Sequence, residues 1–100
     1  MLEVERMPTP IFEWDFVKDV INQEKHGVSF AEATKAFEDP YRLIVKDKKH
    51  SSSREHRYFC IGKVAQGILT VRFTKRDGKI RIFGAGFWRD GRERYEDEHA

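Results

Sequence analysis

The chain has one cysteine, Cys60, and three prolines in 100 residues. A single thiol closes no internal disulfide and builds no Cys-rich zinc site. No apolar run approaches the roughly 18 residues that a membrane span needs. The first ten residues, MLEVERMPTP, hold no apolar stretch of the kind a secretory signal uses, so a cytoplasmic protein is expected. Neither His-x-His nor His-Glu-x-x-His spacing occurs, and no metal or other cofactor is expected. Ser51–Ser53 lack a Gly-x-Ser-x-Gly frame, and Gly84-Ala85-Gly86 lacks the helix pattern of a dinucleotide fingerprint. What is abundant is aromatic residues, 13%, and charged residues, 36%. That mixture supplies a core and a strongly solvated surface, unlike a disordered composition.

The length fits one small domain. Residues 1–10, with Pro8 and Pro10, read as a flexible lead-in, and residues 11–98 as the domain. The net charge of +2 conceals a polarity. Residues 41–83 carry twelve Lys/Arg against three acids, a local balance of +9, while residues 11–40 stand at −4 and 84–100 at −2. A cationic segment of this kind suits a polyanion; the plainer reading is a solvated basic face with no partner.

Ile11–Trp14 reads as a short edge strand. Asp15 is an N-cap candidate for a helix whose apolar stripe is Phe16, Val17, Val20 and Ile21, ending at His26-Gly27. Ser29-x-x-Glu32 is a capping box for a second helix with Phe30, Ala33, Ala36 and Phe37 inward, stopped by Asp39-Pro40. The period then changes to two. Strands are expected at Tyr41–Val45, Arg57–Ile61, Ile68–Thr74 and Lys79–Phe83. A polar loop covers residues 47–53, Asp77-Gly78 forms a hairpin tip, and Gly84–Gly86 marks a bulge or bend. A short helix closes the chain. The fold class is therefore α+β: two N-terminal helices on one face of an antiparallel sheet of three to five strands.

Strand parity sends Leu69, Val71, Phe73, Ile80 and Ile82 toward the helices and Arg72 and Arg81 to the other, open face, with Arg57 as a third member. Guanidinium groups bind phosphate bidentately and keep their charge. Phe59 or Phe83 beside them would stack on unpaired bases. Single-stranded RNA is thus a sensible ligand. Its own 2′-hydroxyl serves as nucleophile if the protein aligns it and stabilises the dianionic transition state. Arg57, Arg72 and Arg81 would supply the electrostatics and Glu55 a base, or else an ordinary ion pair to an arginine. Lys46, Lys79, Phe83 and Arg89 complete the RNA-binding set. His50 and His56 bracket the basic segment as proton shuttles or plain exposed histidines. His26 suits the negative end of a helix dipole. Cys60 is expected to be a buried small hydrophobe.

The runs FEWD (12–15), KHGVSFAEA (25–33), FEDP (37–40), REHRYFCIGKVAQGILTVRFTKRDGKIRIFGA (54–85) and RERYEDE (92–98) resemble the BrnT toxin family. The resemblance implies a RelE-like ribonuclease toxin of a type II toxin–antitoxin module. It also implies a BrnA-like antitoxin as partner, and DNA reached only through that antitoxin. It places the site at Glu55, Arg57, Arg72, Lys79 and Arg81. The chain departs from the family where many members read Ile-Ser-Ala-Arg: Gly84 and Gly86 stand in place of Ser and Arg, and Arg89 is the nearest substitute charge. The alternative reading is a catalytically silent binding module acting with a DNA-binding antitoxin in operon repression.

Overall fold

The computed structural model describes residues 10–100. The lead-in, Pro10 apart, lies outside the described residues. Along the chain run β1 (Phe12–Trp14), α1 (Phe16–His26), α2 (Phe30–Ala33), a 3-10 helix (Thr34–Glu38), β2 (Leu43–Lys46), β3 (Arg57–Val64), β4 (Gly67–Arg76), β5 (Lys79–Gly86) and α3 (Arg89–Glu98). The five strands form one sheet in the order β1-β5-β4-β3-β2. The fold is α+β, as expected, but the sheet is mixed. β1 lies parallel to β5, pairing Phe12 with Ile80 and Trp14 with Ile82. Only the strands joined by short turns are bound to be antiparallel; β1 is separated from its partner by most of the chain and takes the other sense. Asp77 and Gly78 both have positive φ, 53° and 74°, as a two-residue turn of this hairpin type demands.

One face of the sheet carries the core. Cys60, Leu69, Val71, Phe73, Ile82 and Ala85 are buried there with Val28, Phe30, Ala33 and Ala36 of the helical segment. Phe37 meets Phe73 edge-on at 5.1 Å and Trp14 meets Phe30 at 6.3 Å. Truncating Phe73, at 2% exposure, would cost about 3–5 kcal/mol. Burial pushes the Cys60 thiol up to about 12, so it stays protonated and inert as a packed hydrophobe.

The helices depart from expectation in three ways. The Ser29/Glu32 capping box forms, with bonds of 3.0 and 2.9 Å, but α2 is a single turn that tightens into the 3-10 helix. Thr34 turns its hydroxyl onto the Ala31 carbonyl at 2.7 Å, a local bond that competes with the α ladder. Second, the apolar stripe of α1 is not buried: Phe16 and Val17 are 75% and 61% exposed, and Val20 and Ile21 also face outward. The one buried residue of α1 is Asn22, whose amide accepts from Ala85 N–H and donates to Ala85 and Val28 carbonyls at 2.9–3.1 Å. It closes the edge of β5 just past the end of β1. Polar pairing at a strand edge, rather than an apolar stripe, holds this helix.

Third, the opposite face is not open. α3 packs on β3 and β4 from that side. Gly91 makes this possible, because a Cβ there would overlap Thr70 Oγ1 and touch Ile61. The Thr70 hydroxyl lies buried beneath the helix with no hydrogen-bond partner among the described residues. No helix of the described residues is long and apolar enough to cross a membrane.

Candidate functional site

Register assembles the second face in two rows. Arg57 on β3, Thr74 on β4 and Arg81 on β5 stand opposite one another, continuing to Glu13 on β1. One pair further along, Phe59, Arg72 and Gly84 align. Phe83 is the extra residue between Ile82 and Gly84 where the ladder slips, just before the Gly84–Gly86 stretch where a bulge or bend is expected and where the pairing is in fact regular.

The first row is an ion-pair network of three arginines and two glutamates. Glu55 receives Arg57 Nε on Oε1 at 2.8 Å and Arg76 Nη2 on Oε2 at 2.9 Å. The bonds from Arg57 and then Arg76 hold its carboxyl below the usual carboxylate range. The Arg57 guanidinium lies 4.3 Å over the Phe83 ring. Arg81 reaches Glu13 at 3.6 Å, so Arg57 and Arg81 each have an acidic neighbour.

Arg72 has no ion-pair partner among the described residues. Its side chain lies against Gly84, where a Cβ would come within 3.2 Å of Arg72 Cδ. Trp88 lies over Gly86 in the same way, and a Cβ there would meet its ring at 2.5 Å. The two glycines are thus seats for Arg72 and Trp88. These two residues form the shared wall of two cavities. One, about 450 Å³, is also lined by His50, Phe59, Asp90 and Arg94. The other, about 280 Å³, is lined by Lys18, Lys25, His26 and Phe83. His26 meets Trp88 edge-on at 5.2 Å. A groove therefore crosses the face, floored by aromatic rings and edged by cations, with Arg72 at its middle.

Of the residues picked out from sequence, Glu55, Arg57, Arg72 and Phe83 come together. Arg81 shares the face but is turned to Glu13. Lys79 pairs with Arg76 beside the hairpin turn, away from both cavities. Lys46 lies opposite Tyr58, which stacks on Phe73, and so belongs to the core side of the sheet. Arg89 is exposed and bonded to Glu93 at 3.2 Å. The cation that α3 brings to the groove is Arg94 instead, one turn beyond and facing the sheet with Gly91.

Sequence reasoning missed Arg94, Trp88, Lys18 and Lys25 as groove residues, and it left His50 undecided. The pattern Arg89-Asp-Gly-Arg-Glu-Arg94 held the signal: an inward glycine places the residue three positions on along the same side of the helix.

These features define a small basic α+β protein with a cationic, aromatic-floored groove on its sheet. A family model described as "Ribonuclease toxin, BrnT, of type II toxin-antitoxin system" matches residues 14–90, and the chain belongs to that family. No curated protein matches it.

Proposed function

We propose that this protein is the ribonuclease toxin of a type II module, with a RelE-like fold, cutting RNA endonucleolytically in the cytoplasm by 2′-hydroxyl attack. The observation that carries this reading is Arg72, a guanidinium with no ion-pair partner among the described residues, held between two cavities of about 450 and 280 Å³. A phosphodiester lying across Arg72 would place its flanking nucleosides in the two cavities, against Phe59 and Trp88 on one side and Phe83 on the other. Arg72 would bind the non-bridging oxygens and stabilise the charge that grows on them as the 2′-oxygen attacks. Arg57, fixed by Glu55 and Phe83, adds to that field. Lys18 and Lys25 guide the strand. The type II family implies a cognate antitoxin, here a BrnA-like protein that neutralises the toxin by binding it.

The test is cleavage of a labelled single-stranded RNA in EDTA by purified protein. Wild type is expected to cleave and to leave 2′,3′-cyclic phosphate ends. Arg72→Ala should lower turnover by about 10²–10³-fold, the range for losing one transition-state donor, and Arg81→Ala by much less. Equal activity in all three would mean that another protein or another site is responsible.

A further inference from the structure

We infer that Asp47 and His50 form the proton-transfer pair of this groove, with His50 the catalytic base. The assignment rests on the ribonuclease reading. Asp47 follows β2, and its N–H donates to the Arg57 carbonyl at 2.7 Å, so it stands opposite Arg57 on the groove side of the sheet. Its side chain is only 6% exposed, and that of His50 is 47% exposed. Oδ2 of Asp47 meets His50 Nδ1 at 2.9 Å while Oδ1 accepts the His50 backbone N–H at 3.2 Å. One carboxylate thus fixes both the backbone and the ring of the histidine. The loop around it is tied down as well. Ser51 Oγ donates to the Asp47 carbonyl at 2.6 Å and accepts from Arg57 N–H at 2.9 Å.

A carboxylate on Nδ1 selects the tautomer with a proton there and leaves Nε2 with its lone pair free. Among the described residues Nε2 has no hydrogen-bond partner. His50 and Arg72 both line the larger cavity. Glu55 is poorly suited to the same task, because two arginines occupy its two oxygens and depress its basicity. The charged groups around His50 are Asp47, bonded to it on its own loop, and Arg72 on β4 with Asp90 and Arg94 on α3, which line the same cavity.

His50 Nε2 takes the proton of the ribose 2′-hydroxyl. The 2′-oxygen forms a bond to phosphorus as the bond from phosphorus to the 5′-oxygen breaks. The leaving 5′-oxygen takes a proton from water, and the imidazolium returns its own proton to solvent. The products are a 2′,3′-cyclic phosphate and a 5′-hydroxyl. Asp47 acts through His50 as a positioning residue, stabilising the imidazolium while it exists.

The test compares wild type with His50→Gln, His50→Ala, Asp47→Asn and, as a control on an exposed histidine of the same segment, His56→Gln. Two quantities are read: cleavage of a labelled RNA in EDTA across pH 5–9, and affinity for an oligonucleotide with 2′-deoxy sugars, which cannot be cut. His50→Gln should lower kcat about 10²-fold or more and flatten the acid limb of the pH profile. Its affinity for the uncleavable strand should stay within about twofold, since the groove cations remain. Added imidazole should partly restore His50→Ala. Asp47→Asn should lower kcat about tenfold or more, and His56→Gln should match wild type. Wild-type cleavage that survives His50→Gln with its acid limb intact overturns this assignment alone. A wild type that binds the strand through Arg72 yet cuts no RNA overturns the ribonuclease reading, and this assignment with it.

Discussion

Tyr95 donates its hydroxyl to Asp39 Oδ2 at 2.6 Å across the rim of the sheet. Tyr95 belongs to α3 on the groove face, whereas Asp39 ends the 3-10 helix on the core face. The same Oδ2 accepts Lys63 N–H at 2.7 Å, on the part of β3 that β2 leaves unpaired, and Oδ1 accepts Tyr41 N–H at 2.8 Å. One carboxylate therefore pins both helical layers to the sheet between them, and so sets where α3 carries Arg94.

Replacing Asp39 by Asn should destabilise the protein by about 1–3 kcal/mol at neutral pH, and Tyr95→Phe by less. Burial pushes the Asp39 carboxyl up, but the bonds from Tyr95, Lys63 and Tyr41 outweigh it and leave it below the ordinary value. A depressed carboxyl stabilises the fold fully above the unfolded pKa of about 4. That contribution is lost as pH falls from there through the folded value. Urea unfolding at a series of pH values should show the difference between wild type and Asp39→Asn shrinking below about pH 4. The same pairing raises the Tyr95 phenol to about 12.

Glu55→Gln separates a base from a clamp. The carboxylate is held by Arg57 and Arg76, so its loss should loosen Arg57 above Phe83 and lower turnover by about tenfold or less. Removal of a general base would cost about 10²–10⁴-fold. The pH profile of cleavage should keep its acid limb in this variant. A loss of that limb would make Glu55 the base and His50 a bystander.

Parity made one face of this sheet legible from the residues alone. Alternation in Ile68–Thr74 and Lys79–Phe83 put the apolar set inward and Arg72 and Arg81 outward, and the register agrees. The capping residues Asp15 and Ser29 were readable because a cap is a local bond. The stripe on α1 misled, since periodicity shows that a helix has an apolar side but not what covers it. Lys46 was misplaced for a related reason: β2 is four residues long, and one step of parity decides its face. The Asp47–His50 pair and the approach of Arg94 depend on how a loop and a terminal helix dock, which no local pattern encodes.

That exposed stripe gives the third prediction. Phe16, Val17, Val20 and Ile21 present an apolar helix side next to the groove, and Ile21 reaches the smaller cavity. An antitoxin segment docked there would cover the Ile21 side of the smaller cavity. Val17→Asp and Ile21→Asp should each weaken antitoxin binding by at least tenfold, about 1.4 kcal/mol. Binding should persist at high salt, because apolar burial is not screened. Titration calorimetry at two salt concentrations decides it. Steep salt dependence would place the antitoxin on the cationic face instead.

The last prediction concerns Gly84 and Gly86, which stand where the resemblance to the family implies Ser and Arg. A serine at Gly84 asks little, because a Cβ there meets the flexible Arg72 side chain at 3.2 Å. Gly84→Ser should fold normally and keep most activity. Gly86→Arg is different in kind. Its Cβ would press into the indole of Trp88 at 2.5 Å, a rigid ring that cannot yield without leaving its seat. Overpacking of this sort costs about 1–3 kcal/mol, and a domain of this size loses about 4–8 °C of Tm per kcal/mol. Moving Trp88 also removes the wall common to both cavities, so RNA affinity should fall even though a cation has been added. A rise in affinity or turnover, with tryptophan fluorescence unchanged, would mean that the strand runs past Gly86 on a path that Trp88 does not line. The silent-module reading gains only if the Gly84→Ser and Gly86→Arg pair switches on cleavage that the natural chain lacks.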